Sequence, residues 1–168
     1  MRNFVSPVIR LFDRVAAPET VSAHCDVPCG IYDPHAAQIG ALTVVRMNQL
    51  INNLEGSAGE AARDNSFVRY VKTKEEHAEV VKKELDILWH DYFRPEHVEK
   101  YPDLHTTFWQ AAKLASKNKQ TADLAAANDL LAATNRIAEI FWETKGVPTR
   151  KAGSNQAVGG ELVYVDNR

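Results

Sequence analysis

Cysteine is nearly absent from this chain of 168 residues. Only Cys25 and Cys29 occur, too close together to staple distant parts of a fold, so a disulfide framework is excluded. The open readings for the pair are a metal site, a redox couple, or two inert thiols. No apolar run approaches the roughly 20 residues of a membrane span, and neither sign of charge dominates, with 20 Lys and Arg against 22 Asp and Glu. No nucleic-acid partner and no membrane partner are therefore expected. What remains is ordinary: 45% hydrophobic and 25% charged residues, enough to bury one sizeable core.

Residues 1–23 differ from the rest. Their apolar residues come in pairs, Phe4-Val5, Val8-Ile9 and Leu11-Phe12, interrupted by Ser6, Pro7 and Arg10. Without a continuous hydrophobic region they do not read as an export signal. Small residues, Val21-Ser22-Ala23, precede His24, and we read 1–23 as a propeptide that is removed in a cytoplasmic protein.

From Asp33-Pro34 onward the pattern is helical. Val44, Met47, Ile51 and Leu54 step by three and four, the stripe of a packed helix, with Pro34 near its first turn and Asp33 as its cap. Residues 55–66 read as a polar connection. Phe67, Val71, Lys74, Ala78, Val81, Leu85, Leu88 and Tyr92 then alternate four and three along a long helix whose stripe only Lys74 breaks. Arg94-Pro95 and Tyr101-Pro102 bracket another connection. Asp103 is placed to cap a third helix, carrying Leu104, Phe108, Ala111 and Leu114, and a fourth begins near Thr121 and ends at Gly146 and Pro148. The expected fold is all-α: an antiparallel four-helix bundle over 35–148, preceded by a short irregular N-terminal hook at 24–34 and followed by a polar tail, 149–168. The apolar patch Leu162 to Val165 in that tail reads as a short strand, an interface arm, or nothing ordered.

Bundles often hold di-iron sites through inward Glu-x-x-His pairs, but no Glu here has a His three positions later. Glu75, Glu76, Glu79 and Glu84 read as a solvated face. Attention returns to His24, Cys25 and Cys29, which in the uncleaved chain are too few for a closed structural zinc site. Cleavage after Ala23 changes the count. His24 then offers an amine and an imidazole, Cys25 an amide nitrogen and a thiolate, and Cys29 a second thiolate, giving a planar set of two nitrogens and two sulfurs with an imidazole able to bind axially. Such donors favour nickel or copper and stabilise a higher oxidation state.

The run His24-Cys25-Asp26-Val27-Pro28-Cys29-Gly30-Ile31-Tyr32 resembles the nickel hook of nickel-containing superoxide dismutases, His-Cys-x-x-Pro-Cys-Gly-x-Tyr. Leu88 to Phe93, the run from Pro95 to His105, and Ile140 to Lys145 resemble the same family. The resemblance implies one nickel ion per subunit, held by His24, Cys25 and Cys29, and disproportionation of superoxide to oxygen and hydrogen peroxide by Ni(III)/Ni(II) cycling. It implies that Tyr32 and Tyr92 line the substrate pocket, that Asp26 helps to hold the hook, and that Pro28 makes a tight cis bend while Gly30 allows close backbone passage. It also implies a four-helix bundle, a homohexamer and a processing protease for the propeptide. One departure stands out. Where relatives use a Glu on the first helix and an Arg on the second to buttress the axial imidazole, this chain has Gly40 and His77, so His77 is the candidate substitute. Two other function classes compete: a nickel or copper binding protein without turnover, and a helical assembly protein whose cysteines form a local redox couple.

Overall fold

The computed structural model describes residues 29–54 and 59–166. The propeptide 1–23 and the hook residues His24, Cys25, Asp26 and Pro28, with the cis bend expected there, lie outside the described residues.

Helix α1 spans His35–Asn52 and α2 spans Glu60–Ile87. The Asp33 carboxylate accepts the His35 amide at 2.7 Å, so it serves the start of α1 from one residue before Pro34. Helix α2 begins earlier than its hydrophobic stripe suggests, taking in half of the expected connection 55–66. Glu60, Ala61, Ala62 and Arg63 are good helix formers and their exposure leaves them no stripe to show. The stripe itself is buried where it was expected to be, at Lys74, Ala78, Val81, Leu85 and Leu88, whereas Phe67 remains exposed.

Leu88–Tyr92 is a π-helical turn, closed by the Phe93 amide donating to the Leu88 carbonyl at 2.9 Å. The stretch expected as a mere connection holds a six-residue helix, α3, Pro95–Lys100. Pro95 stands at its start, where a missing N–H costs nothing, and Arg94 before it is extended. Helix α4 is Leu104–Gln120 and α5 is Leu124–Thr144. The caps differ from expectation: the Asp103 side chain makes no cap bond, while Asp123 accepts the Ala126 amide at 3.0 Å and starts α5 three residues after Thr121. Gly146, at φ +67°, ends the helix.

The four long helices form a ring in which α1 meets α2 and α5, and α4 meets α2 and α5. Their sense can be read from particular contacts. Gly40, early in α1, lies against His77 and Val81, late in α2. Trp89, just past α2, meets His105 and Phe108 at the start of α4, and Lys74 reaches the far end of α4. Successive helices thus run antiparallel around a core that includes Ala41, Val44, Val81, Leu85, Leu104, Leu130, Ile137 and Phe141.

Lys74, the break in the stripe, is 2% exposed. Its ammonium donates to the carbonyls of Asn118 and, at 2.6 Å, Thr121, groups that a helix C-terminus leaves without partners. Burial pushes its pKa below the ordinary lysine value, while the Glu75 carboxylate pulls the other way.

Residues 149–165 are no loose tail. β1 (Thr149–Gly153) and β2 (Glu161–Val165) form an antiparallel hairpin that buries Leu162 and Val163 and docks on α5. Asn135 of α5 donates to the Glu161 carbonyl at 2.9 Å and accepts from Gln38 of α1 at 2.8 Å, so one buried amide chain ties α1, α5 and β2 together. Of the readings open for the Leu162 to Val165 patch, the strand holds.

Candidate active site

The π turn sets the site because it inserts an extra residue into the end of α2 and so re-aims Tyr92. Tyr92 lands among aromatic rings: Phe141 at 4.5 Å between centroids, Phe93 at 5.1 Å, and His97 stacked at 5.6 Å with 17° between planes. The Lys145 ammonium lies 5.4 Å from the Tyr92 centroid and 4.7 Å from that of Phe141, a cation–π arrangement. The Tyr92 hydroxyl is 2.6 Å from that of Thr144.

Tyr32 meets Tyr92 with ring centroids 5.7 Å apart and 55° between planes. The two expected pocket tyrosines, 60 positions apart in the sequence, are therefore neighbours. Cys29 is exposed and its thiol is free. Gly30 has φ +73°, a left-handed backbone conformation that favours glycine.

Gly40 and His77 are also brought together. A Cβ at Gly40 would stand 3.0 Å from a Val81 methyl and 3.3 Å from the His77 carbonyl, so the two helices pass closely where a carboxylate side chain was sought. The half-buried His77 donates its Nδ1 proton to the Thr73 carbonyl at 2.9 Å. On the acidic face of α2, Glu79 pairs with Lys119 at 2.7 Å and Glu76 with Lys72 at 3.6 Å. Among the described residues no three His, Cys, Asp or Glu side chains are grouped so as to hold a metal.

Sequence reasoning missed Thr144 and gave His97 no part near the tyrosines. His97 accepts the Arg94 amide on Nδ1 at 3.1 Å, which fixes its ring against Tyr92. Both lie in runs that resemble the family, but those runs do not reveal their parts, which arise from α5 and α3 meeting the π turn.

A sequence profile of nickel-containing superoxide dismutases matches residues 19–145, from before the hook to the turn that follows Thr144. The chain belongs to the nickel-containing superoxide dismutase family. It is 41% identical over 138 residues to the superoxide dismutase [Ni] of Streptomyces seoulensis, covering 80% of this chain and 98% of that protein. Identity to the protein of the same name from Streptomyces coelicolor is 42% over 137 residues, with the same coverage. Among solved structures, a nickel-containing superoxide dismutase with nickel ligation corresponding to the oxidised state superposes with a TM-score of 0.65 at 40% identity, covering 73% of this chain and 99% of that one. Nickel is the cofactor of this family. The family match takes in His24, Cys25, Cys29, Tyr32, Tyr92 and Thr144 but stops at Lys145, before the hairpin.

Proposed function

We propose that this chain is a nickel-dependent superoxide dismutase, converting superoxide to oxygen and hydrogen peroxide. The observation that carries the reading is that one family match spans both the hook and the contacting pair Tyr32 and Tyr92. Nickel held there would supply the one-electron couple that the two half-reactions of superoxide disproportionation require. His24 would hold the ion through its amine and imidazole, Cys25 through its amide nitrogen and thiolate, and Cys29 through its thiolate. Two thiolates with an amidate are electron-rich donors that suit nickel, and the exposed, free Cys29 thiol is available for that role.

The remaining residues position and protect. Asp26 and Pro28 would shape the hook, and Tyr32 and Tyr92 would narrow the approach so that thiolates meet little of the peroxide product. With its Nδ1 bonded to the Thr73 carbonyl, His77 has Nε2 left over and would be the candidate to orient the His24 imidazole in place of the Glu and Arg that relatives use. Removal of residues 1–23 by a processing protease would free the His24 amine. Assembly as a homohexamer, on the strength of family resemblance, and a cytoplasmic setting, on the interrupted apolar pattern of residues 1–23, complete the reading.

Nickel content, the N-terminal residue and superoxide consumption, measured on one purified sample, test this reading. The expected result is a chain beginning at His24 with about one nickel per subunit and rapid superoxide loss. An active, nickel-loaded chain that still begins at Met1 would refute the amine ligand, and stoichiometric nickel without turnover would make the protein a metal carrier.

A further inference from the structure

Tyr92 and Thr144 share a hydrogen bond in which either hydroxyl could in principle donate. The end of α5 decides between them. There the Lys145 amide turns to the Trp142 carbonyl at 3.1 Å and the Gly146 amide to Glu143 at 3.1 Å, tightening the last turn. The Phe141 carbonyl takes the Thr144 hydroxyl instead, at 2.6 Å. A carbonyl only accepts, so Thr144 donates its single proton to Phe141. Its oxygen is left as an acceptor toward Tyr92, and the Tyr92 proton must point at Thr144.

We propose that Thr144 is a positioning residue for Tyr92, holding the phenol as a hydrogen-bond donor to Thr144 so that the tyrosine offers only acceptor lone pairs to a molecule arriving beside it. The chain of hydroxyls ends on a backbone carbonyl, which can neither take up nor pass on a proton. Tyr92 therefore orients a water or excludes one, and the protons that complete hydrogen peroxide come from another group or from solvent. The fixed ring supports this role, since Phe141, His97 and Phe93 pack around it and leave the hydroxyl direction to Thr144.

The inference rests on Tyr92 lining the approach of superoxide, and its test separates the two ideas. Nickel-loaded wild type, Thr144→Val, which keeps the shape without the hydroxyl, and Thr144→Ser, which keeps the hydroxyl, are compared. The Raman doublet of tyrosine, whose intensity ratio distinguishes a donating from an accepting phenol, is assigned by difference against Tyr92→Phe. We expect a donor signature in wild type and in Thr144→Ser, its loss in Thr144→Val, and a roughly three- to tenfold fall in superoxide consumption per bound nickel in Thr144→Val alone. An accepting Tyr92 in wild type overturns the proposal even if the Val variant does not fold. So do a donor signature and full rate retained in Thr144→Val, or a Ser variant that fails as Val does. A wild type that shows the donor signature but consumes no superoxide would instead remove the proposed function.

Discussion

At Gly40 a missing side chain sets how closely two helices pass. The Val81 methyl and the His77 carbonyl occupy the space a larger residue would need, so restoring a carboxylate there would wedge α1 away from α2. Glycine costs a helix about 1 kcal/mol relative to alanine, but overpacking a tight contact costs about 1–3 kcal/mol, and a carboxylate at this buried position must also be desolvated. Gly40→Glu is thus expected to lose about 1–3 kcal/mol in urea unfolding, and the close contact argues that any buttress in this protein is built from residues other than position 40. The tyrosine pair teaches a related lesson. Tyr32 and Tyr92 could be given a role from motif resemblance, but Thr144, although it lies in a matching run, could not, because a hydroxyl at a helix end has no evident task until the partner it faces is known.

Lys74 was legible as an interruption of the α2 stripe, and its purpose was not. In sequence it is a charge in a core position; in the fold it supplies the donor that the end of α4 lacks. Lys74→Met should fill the same volume and still destabilise by about 1–3 kcal/mol, because the buried Asn118 carbonyl and the partly buried Thr121 carbonyl lose their partner, and thermal unfolding would show it. The start of α5 makes a pH-dependent counterpart. The Lys117 ammonium, at 2.8 Å, and the Ala126 amide hold the Asp123 carboxyl below its usual pKa. The folded state then binds fewer protons than the unfolded one as the pH drops, so the stability from this cap is present above about pH 4 and is lost as pH falls further. The gap in melting temperature between wild type and Asp123→Ala should close over that acid range. Periodic burial made the four long helices readable, since Ala78, Val81, Leu85 and Leu88 recur at helical spacing. The π turn, α3 and the hairpin were not readable in the same way. The π turn is set by packing, Pro95 masks a helix that it in fact begins, and the hairpin buries the adjacent pair Leu162 and Val163 rather than alternating faces.

For the protein as a whole, the family match ends before the hairpin, yet the hairpin is knitted into the bundle. Gln49 of α1 donates to the Val158 carbonyl at 3.0 Å, and Leu162 lies in the same core cluster as Phe141. A chain ending at Pro148 would expose surface under Leu162 and Val163, each worth about 1.5–3 kcal/mol when buried, partly offset by the entropy regained by the freed residues. A net loss of about 2 kcal/mol is expected, read as a lower melting temperature, with superoxide consumption per bound nickel unchanged. The buried ammonium of Lys74 has a consequence for chemical labelling. An amine 2% exposed and bonded to two carbonyls at the end of α4 cannot meet an acylating reagent until α2 and α4 part, so Lys74 should be the slowest lysine to react. Its labelling rate would then act as a clock for the breathing of the bundle.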